Sequence, residues 1–165
     1  MKKKKRRSSP VNLLKGLEDR PGFLIRRAHQ ISQGIFIEEC AGLDITSTQF
    51  GVLSILSRAG ELDQISVAQL LGFDRSTTGL VVKLLDDRAL IVRVPDPKDR
   101  RRQVLRLTKA GERLRQRAEP RVDRVRARLE AVFTSRQASA FRSLLDKFTR
   151  SFDESARVPL RRGAK

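Results

Sequence analysis

Apolar residues recur every three or four positions along six stretches of the chain, the spacing that places them on one face of an α-helix. The six predicted helices cover about 21–41, 46–60, 66–72, 74–88, 108–132 and 135–153. Residues that favour helix starts stand at their beginnings, namely Pro21, Thr46 or Ser47, Ser66, Asp74, Thr108 and Ser135. Glycines follow the first three helices, at Gly42, Gly60 and Gly72, where they favour termination.

Between the fourth and fifth helices the pattern changes to the alternation expected of β-strands. Residues 90–94 and 102–107 are the two predicted strands, and residues 95–97 form a turn between them. The predicted fold class is therefore mainly α with a small β-hairpin. Two short helices around Gly72, followed by a hairpin, match a winged helix-turn-helix. An ordinary helical subdomain that carries a hairpin is the alternative.

The helix at 74–88 has one apolar and one polar face. Leu80, Val81, Leu84 and Leu85 are predicted to be buried, which leaves the polar side chains for solvent or a partner. An exposed helix of this kind fits the major groove of B-DNA, which is about 12 Å wide. The residues predicted to contact DNA lie on this helix, at the start of the helix before it and in the hairpin. They are Ser66, Arg75, Ser76, Thr77, Thr78, Lys83, Lys98, Arg100, Arg101 and Arg102.

Charge strengthens the case for an anionic partner. The chain of 165 residues has 36 basic and 19 acidic side chains, with a formal net charge of +17. Six of the cations lie in residues 2–7 and four in residues 157–165, and the hairpin carries three consecutive arginines. Such crowding costs self-repulsion unless phosphates offset it. Double-stranded DNA is the predicted partner.

The length favours one domain, predicted at 21–155, between a flexible basic arm at 1–20 and a basic tail at 156–165. Cys40 is the only cysteine, which rules out an intrachain disulfide and agrees with a reducing, cytoplasmic setting. No segment has the roughly 20 apolar residues of a membrane span, and no metal or other cofactor is expected.

The stretch 64–111 resembles the multiple-antibiotic-resistance regulator (MarR) family, including its D-x-R…L-x-L-T-x-x-G wing signature. Here that signature is Asp99, Arg101, Leu105, Leu107, Thr108 and Gly111. The resemblance implies a homodimer whose terminal helices, about 21–41 and 109–153, interlock beside a DNA-binding lobe at about 46–107. It also implies a recognition helix at 74–88, a wing arginine, Arg101, in the minor groove, and a repressor that binds a palindromic operator.

Members of this family usually lose DNA affinity when a small anionic or aromatic molecule binds. The segment RPGFLIRRAHQI resembles a branch that governs breakdown of aromatic acids, which implies an aromatic carboxylate or its coenzyme A thioester as effector. The candidate effector-binding residues are Arg26, Arg27, His29, Ser32, Phe36, Phe50 and Leu53. Alternatively, His29 is an ordinary hydrogen-bonded helix residue, and the two arginines are solvated or pair with Glu38 or Glu39 of a partner chain.

Two other function classes were weighed. An enzyme would need a concentrated nucleophile, base or metal cluster, and one histidine and one distant cysteine do not supply it. A nonspecific architectural nucleic-acid-binding protein would share the positive charge but show little sequence preference. Cys40 is expected to have a packing role, because the neighbouring carboxylates of Glu38 and Glu39 disfavour a reactive thiolate.

Overall fold

The structure, a computed structural model, describes residues 13–96, 99 and 102–160. Six helices and a small sheet make up its regular part, which confirms the predicted fold class. In chain order the elements are α1 (Pro21–Glu39), α2 (Ser47–Ala59), β1 (Glu61–Leu62), α3 (Gln64–Leu71), α4 (Arg75–Asp87), β2 (Ile91–Pro95), β3 (Gln103–Leu107), α5 (Lys109–Glu130) and α6 (Ser135–Ser151), and a 3-10 turn follows at Asp153–Ser155. Among the described residues, no helix is long and apolar enough to span a membrane.

Side-chain caps begin five of these helices. Thr46, Asp74 and Thr108 accept hydrogen bonds from the first turns of α2, α4 and α5, as predicted. Two predicted caps are wrong. Asp63 caps α3 by accepting from the backbone N–H of Ser66, so this helix starts earlier than expected, and Thr134 takes the place of Ser135 as the cap of α6.

The sheet has three antiparallel strands in the order β1-β3-β2. Ile91 pairs with Leu107 and Pro95 with Gln103, which defines the hairpin that forms the wing. The two-residue strand β1 adds to the other edge of β3, where Glu61 lies opposite Arg106. The predicted two-stranded wing is therefore incomplete, because β1 is too short to show an alternating pattern.

A core of buried apolar side chains lies between α2, α3, α4 and the sheet. Val52, Leu53 and Leu56 of α2 are fully buried there. On α4 the buried side chains are Thr78, Val81, Val82 and Leu85, a spacing of three, four and seven residues that defines one helix face. The prediction that Leu80 and Leu84 are buried is wrong, since both are exposed on the other side of the helix.

Helix α1 packs against α5, and cations of α5 surround the end of α1. Arg121 donates to the backbone carbonyls of Glu39 and Ala41, at 3.0 and 3.2 Å, where the negative end of the helix dipole favours a cation. Arg124 and Arg128 pair with the carboxylate of Glu39 at 2.9 and 3.0 Å and hold its pKa below the usual value. These contacts fix the last turn of α1 on α5.

The last helix leaves a stripe of apolar side chains uncovered. Its members are Phe141, Leu144, Leu145, Phe148 and Phe152, all exposed in the single chain. On α1, Leu24 and Ile25 near the start and Ile31 in the middle are exposed as well. Apolar surface of this extent on a small protein indicates an interaction face.

Candidate DNA-binding surface and effector cavity

Helices α3 and α4 form the helix-turn-helix, and Gly72 makes the turn between them. Gly72 has a left-handed backbone with φ of 66°, which favours glycine, and its N–H bonds to the carbonyl of Ala68. Asp74 then caps α4: its carboxylate accepts from the N–H of Thr77 at 2.8 Å and from the Thr77 hydroxyl at 3.1 Å. These bonds hold the pKa of Asp74 below its usual value, so the cap stays ionised. The first turn of α4 is thereby fixed.

The predicted DNA contacts on these helices have different surroundings. Arg75, Ser76 and Lys83 are exposed, and Lys83 pairs with Asp87 one turn further along at 2.5 Å. Thr77 and Ser66 are half-buried, and each hydroxyl donates to the carboxylate of the aspartate that caps its helix. Arg75, Ser76 and Lys83 are thus the predicted residues of the helix-turn-helix that are most available to a partner.

The predicted DNA contact at Thr78 is wrong. Its side chain is 1% exposed, and its hydroxyl donates to the carbonyl of Asp74 at 2.8 Å. Thr78 lies on the same helix face as Val81 and Leu85, so it packs into the core beneath the recognition helix.

Leu80 is a candidate contact that the sequence reasoning missed. Its side chain is 59% exposed in the middle of α4, one helical turn beyond Ser76. An exposed leucine at this place can contact thymine methyl groups in a major groove. The spacing of Thr78, Val81 and Leu85 would have placed it on the outer face.

Two arginines tie the wing to the helix-turn-helix, and a third forms an ion pair within the sheet. Arg93 of β2 donates to Asp86 of α4 at 3.2 Å, and Arg102 donates to Asp63, the cap of α3, at 3.2 Å. Arg106 of β3 pairs with Glu61 at 2.5 Å across the sheet. Arg102 is still 57% exposed and can exchange its partner for a phosphate. The predicted wing contacts Lys98, Arg100 and Arg101 lie outside the described residues.

The corner between the wing and α5 is closely packed. Thr108 donates its N–H to the carbonyl of Leu90 at 3.1 Å, while its hydroxyl accepts from Gly111 at 3.0 Å. Gly111 has no room for a side chain, since a Cβ there would lie 2.0 Å from the carbonyl oxygen of Leu90. The wing and the helix that follows it therefore have one fixed relative position.

A cavity of about 510 Å³ lies between α1, α2 and the turn of the helix-turn-helix. The residues that line it are His29, Gln33, Ser47, Thr48, Gly51, Leu71 and Phe73. The Ser47 hydroxyl donates to the side-chain carbonyl of Gln33 at 2.9 Å, which joins α1 to α2 across the cavity. Its volume is in the usual range for small-molecule sites.

Of the predicted effector-binding residues, His29 alone lines this cavity. Phe36 and Leu53, which were predicted as apolar walls, do not line this cavity and are buried in the core, with 6% and 0% of their surfaces exposed. Phe50 is half-buried against the same core, and Ser32 is half-buried on α1. Gln33, Ser47 and Phe73 were missed because the fold joins them from three separate elements.

Arg26 and Arg27 are exposed on α1, and neither of them lines the cavity. Both donate to the side-chain carbonyl of Gln30, at 3.4 and 3.0 Å, and Arg26 also lies over the ring of Phe23 at 5.1 Å. Arg26, His29 and Gln33 are three and seven residues apart, so they share one helix face. Arg26 thus lies about one helical turn from His29, on the face of α1 that borders the cavity.

Cys40 is buried among the core residues, 3% exposed, at the end of α1. Its burial raises the pKa of the thiol above the usual value. A protonated, covered thiol is a poor nucleophile.

The helix-turn-helix and the wing beside it define the class: this is a winged helix-turn-helix protein, a class that binds DNA. A family model described as the MarR family matches residues 43–102. The transcriptional repressor NicR of Pseudomonas putida is 33% identical over 90 residues, which cover 54% of this chain and 57% of NicR. The match thus spans little more than half the length of that relative.

Solved structures extend the similarity over most of the chain. PcaV of Streptomyces coelicolor, in complex with its natural ligand, is 34% identical with a TM-score of 0.75, over 81% of this chain and 94% of PcaV. BpsR of Bordetella bronchiseptica, whose DNA binding is regulated by 6-hydroxynicotinic acid, is 27% identical with a TM-score of 0.76, over 80% and 94%. CouR of Rhodococcus jostii, bound to p-coumaroyl-CoA, is 29% identical with a TM-score of 0.69, over 81% and 94%. The chain belongs to the MarR family.

Proposed function

We propose that the protein is a homodimeric transcriptional repressor that binds a palindromic DNA site and releases it when a small anionic aromatic molecule binds. The observation that carries the DNA-binding part is the exposed face of α4, with Arg75, Ser76, Leu80 and Lys83, next to a wing that ion pairs hold in place. Cations and a hydroxyl suit phosphates and base edges, and Leu80 suits a thymine methyl group. The wing-tip cations Lys98, Arg100 and Arg101 complete the proposed surface.

The proposed dimer would cover the apolar stripe of α6 and the exposed residues at the start of α1. Two-fold symmetry would then present two copies of α4, which suits half-sites about one helical turn of DNA apart. The domain limits follow from this division: residues 21–39 and 109–151 would form the dimer, and residues 47–107 the DNA-binding lobe.

The cavity beside His29 is the proposed effector site. Its walls come from α1, which belongs to the dimer part, and from Leu71 and Phe73 at the turn before α4. A ligand there contacts both parts, so it can favour one relative position of the recognition helices. A difference of about 1–3 kcal/mol in ligand affinity between two positions would suffice for allosteric release.

An aromatic acid is the effector class that this site supports best. Phe73 and Leu71 offer apolar contact, and His29 and Gln33 offer hydrogen bonds. Arg26, about one helical turn from His29 on the same face of α1, would offer a partner for a carboxylate. A coenzyme A thioester would place only its aromatic acyl group inside, with the nucleotide outside. The ligands of BpsR and CouR are the precedents for these two forms.

Fluorescence polarisation tests the proposal. Labelled DNA from upstream of the protein's own coding sequence is titrated with protein at fixed salt against random duplex, and aromatic acids and their thioesters are then added. We expect competitor-resistant binding that one compound class reverses. Equal affinity for random DNA would contradict the proposal and favour an architectural protein.

Substitutions locate the effector site in the same assay. His29→Ala and Gln33→Ala should leave DNA affinity intact and raise the effector concentration needed for release. Ser32→Ala is the matched control, a change on the same helix at a residue that does not line the cavity. An effect of Ser32→Ala equal to that of His29→Ala would place the ligand elsewhere.

A further inference from the structure

The chain after α6 returns to the helix-turn-helix as a closed loop. Residues 156–160, named here the C-terminal strap, follow the 3-10 turn. The carboxylate of Asp153 in that turn accepts from the Leu160 N–H at 3.2 Å, which closes the loop. A Cβ on Gly72 would lie only 3.1 Å from Cδ2 of Leu160. Leu160 thus packs on the turn of the helix-turn-helix, in the space that a side chain at Gly72 would need.

A second apolar residue of the strap enters the groove between α3 and α4. Val158 lines a cavity of about 530 Å³ there, together with Ala68 of α3 and Thr78 of α4. Val158 and Leu160 are half-buried, whereas the strap residues on either side of Val158 are exposed. Two alternate side chains therefore anchor the strap on the helix-turn-helix.

The turn lies between the strap and the proposed effector cavity. Leu71 and Phe73 line the effector cavity, and Gly72 between them contacts Leu160. Phe73 also lines the groove that Val158 enters, and it is the one residue that lines both spaces. The groove and the effector cavity thus lie on different sides of Phe73.

The strap contacts all three parts of the helix-turn-helix. Val158 reaches α3 and α4, and Leu160 reaches the turn. Arg157 lies close enough to Asp74, the cap of α4, to help lower the pKa of that carboxyl. Close-packed groups have low compressibility and pass a displacement to their neighbours, whereas a turn that lacks neighbours on one side can deform locally. With the strap in place, a displacement of Phe73 is therefore passed to α4.

We propose that the C-terminal strap couples the effector cavity to the recognition helix. Val158 and Leu160 are positioning residues that pack α3, the turn and the start of α4 into one unit, so that a group in the cavity displaces α4 and not the turn alone. Loss of the two anchors should then weaken the effect of a filled cavity on DNA binding much more than it weakens DNA binding itself. This inference rests on the proposed function, because it requires a DNA-bound protein with an effector cavity.

A bulky side chain inside the cavity tests this coupling without a ligand. Gly51 of α2 lines the cavity, and a Cβ there would lie at an ordinary 3.6 Å from Cδ2 of Leu71. Gly51→Leu adds further carbon atoms against Leu71, whereas the matched control Gly51→Ala adds the Cβ alone. Fluorescence polarisation with the upstream DNA compares these variants in two backgrounds, one with the strap intact and one with Val158→Ser and Leu160→Ser combined.

The two backgrounds should respond differently to the filled cavity. With the strap intact, we expect Gly51→Leu to weaken DNA binding about tenfold or more, within the range of about 5–150-fold that is typical of allosteric coupling. In the strap variant the same change should weaken binding by about threefold or less, since independent sites alone would give equal ratios. The strap variant itself and Gly51→Ala should each bind within about threefold of the unsubstituted protein. Leu160→Met keeps an apolar anchor of similar volume and should preserve the tenfold effect.

Amide hydrogen exchange provides a second measurement, which needs no cavity variant. The N–H groups of Gly72 and Phe73 both donate to the carbonyl of Ala68. Leu160→Ser should speed exchange of these two amides about tenfold or more, because the turn opens more often. The N–H of Gly60, which donates to Leu56 at the end of α2, is the internal control and should exchange at an unchanged rate.

Each result has a distinct meaning. Equal weakening by Gly51→Leu in both backgrounds would overturn the proposal and leave the strap a purely structural role. It would also be overturned if Gly51→Leu had no effect with the strap intact, or if Leu160→Ser left the exchange of the turn amides unchanged. In all three cases the unsubstituted protein still binds its DNA. Failure of that protein to prefer the upstream DNA over random duplex would instead refute the proposed function.

Discussion

Substitution of Gly111 by alanine tests the closely packed corner between the wing and α5. The added Cβ would lie 2.0 Å from the carbonyl oxygen of Leu90 and 2.7 Å from Cδ1 of Leu107. Leu107 can change rotamer, but the carbonyl of Leu90 belongs to the backbone and also accepts from Thr108. The start of α5 must therefore move by about 1 Å to restore an ordinary contact distance of about 3.3 Å.

The expected cost follows from that movement. Overpacking of this kind costs about 1–3 kcal/mol, and weakening the Thr108 hydrogen bonds adds about 1–2 kcal/mol. Alanine stabilises a helix by about 0.5–1 kcal/mol relative to glycine, which offsets part of this loss. The net loss is thus about 1–4.5 kcal/mol, equivalent to about 2–18 °C in melting temperature for a chain of this size.

Urea denaturation and thermal melting at fixed protein concentration measure this loss. Gly79→Ala is the matched control, because a Cβ at Gly79 of α4 meets only the Gln64 side chain at an ordinary 3.7 Å. The control should be unchanged or stabilised by up to about 1 kcal/mol. If Gly111→Ala is as stable as Gly79→Ala, the described corner is incorrect.

Three further changes test other parts of the structure. Leu80→Ala should change the free energy of unfolding by no more than about 0.5 kcal/mol, yet weaken binding to the specific DNA more than binding to random duplex. Leu85→Ala, on the buried face, should lower the free energy of unfolding by about 2–5 kcal/mol. Equal destabilisation by the two variants in urea would contradict the assigned faces. Asp63→Ala removes the α3 cap and the partner of Arg102, so it should cost about 1 kcal/mol or more in melting experiments, while the exposed Asp123→Ala should cost less than half of that. Arg115 lowers the pKa of Glu112 to about 2, so this carboxylate stabilises the fold above its usual pKa of 4.5, and the contribution is lost as the pH falls from about 4.5 to about 2. Glu112→Gln should therefore flatten the dependence of melting temperature on pH between 5 and 3, and parallel curves for the two proteins would refute the ion pair.

Local sequence patterns were sufficient to predict the helices and the hairpin. Helical spacing, glycines and most caps marked the elements to within a few residues. The error at α4 arose because Leu80, Val81, Leu84 and Leu85 also have helical spacing, so two overlapping apolar stripes compete on one helix. The buried stripe includes a threonine, Thr78, whose hydroxyl is satisfied by its own helix and thus costs little to bury.

The wing contacts and the cavity could not be predicted from local patterns, because both are formed by residues that lie far apart in the chain. Asp63 and Arg102, which hold the wing to α3, are 39 positions apart, and no local pattern relates them. The cavity beside His29 combines residues of α1, α2 and the turn after α3. Charge clustering did indicate the DNA-binding region, because crowded cations are costly unless an anionic partner offsets them.

A footprint of the protein on its upstream DNA tests the central claim most directly. Hydroxyl-radical cleavage, resolved to single nucleotides, reports which backbone positions the bound protein covers. We predict two symmetric protected regions, centred about one helical turn or about 35 Å apart, in a sequence with two-fold symmetry. Protection that spreads evenly along the duplex, without symmetry or preference for one site, would contradict a dimeric repressor with two recognition helices.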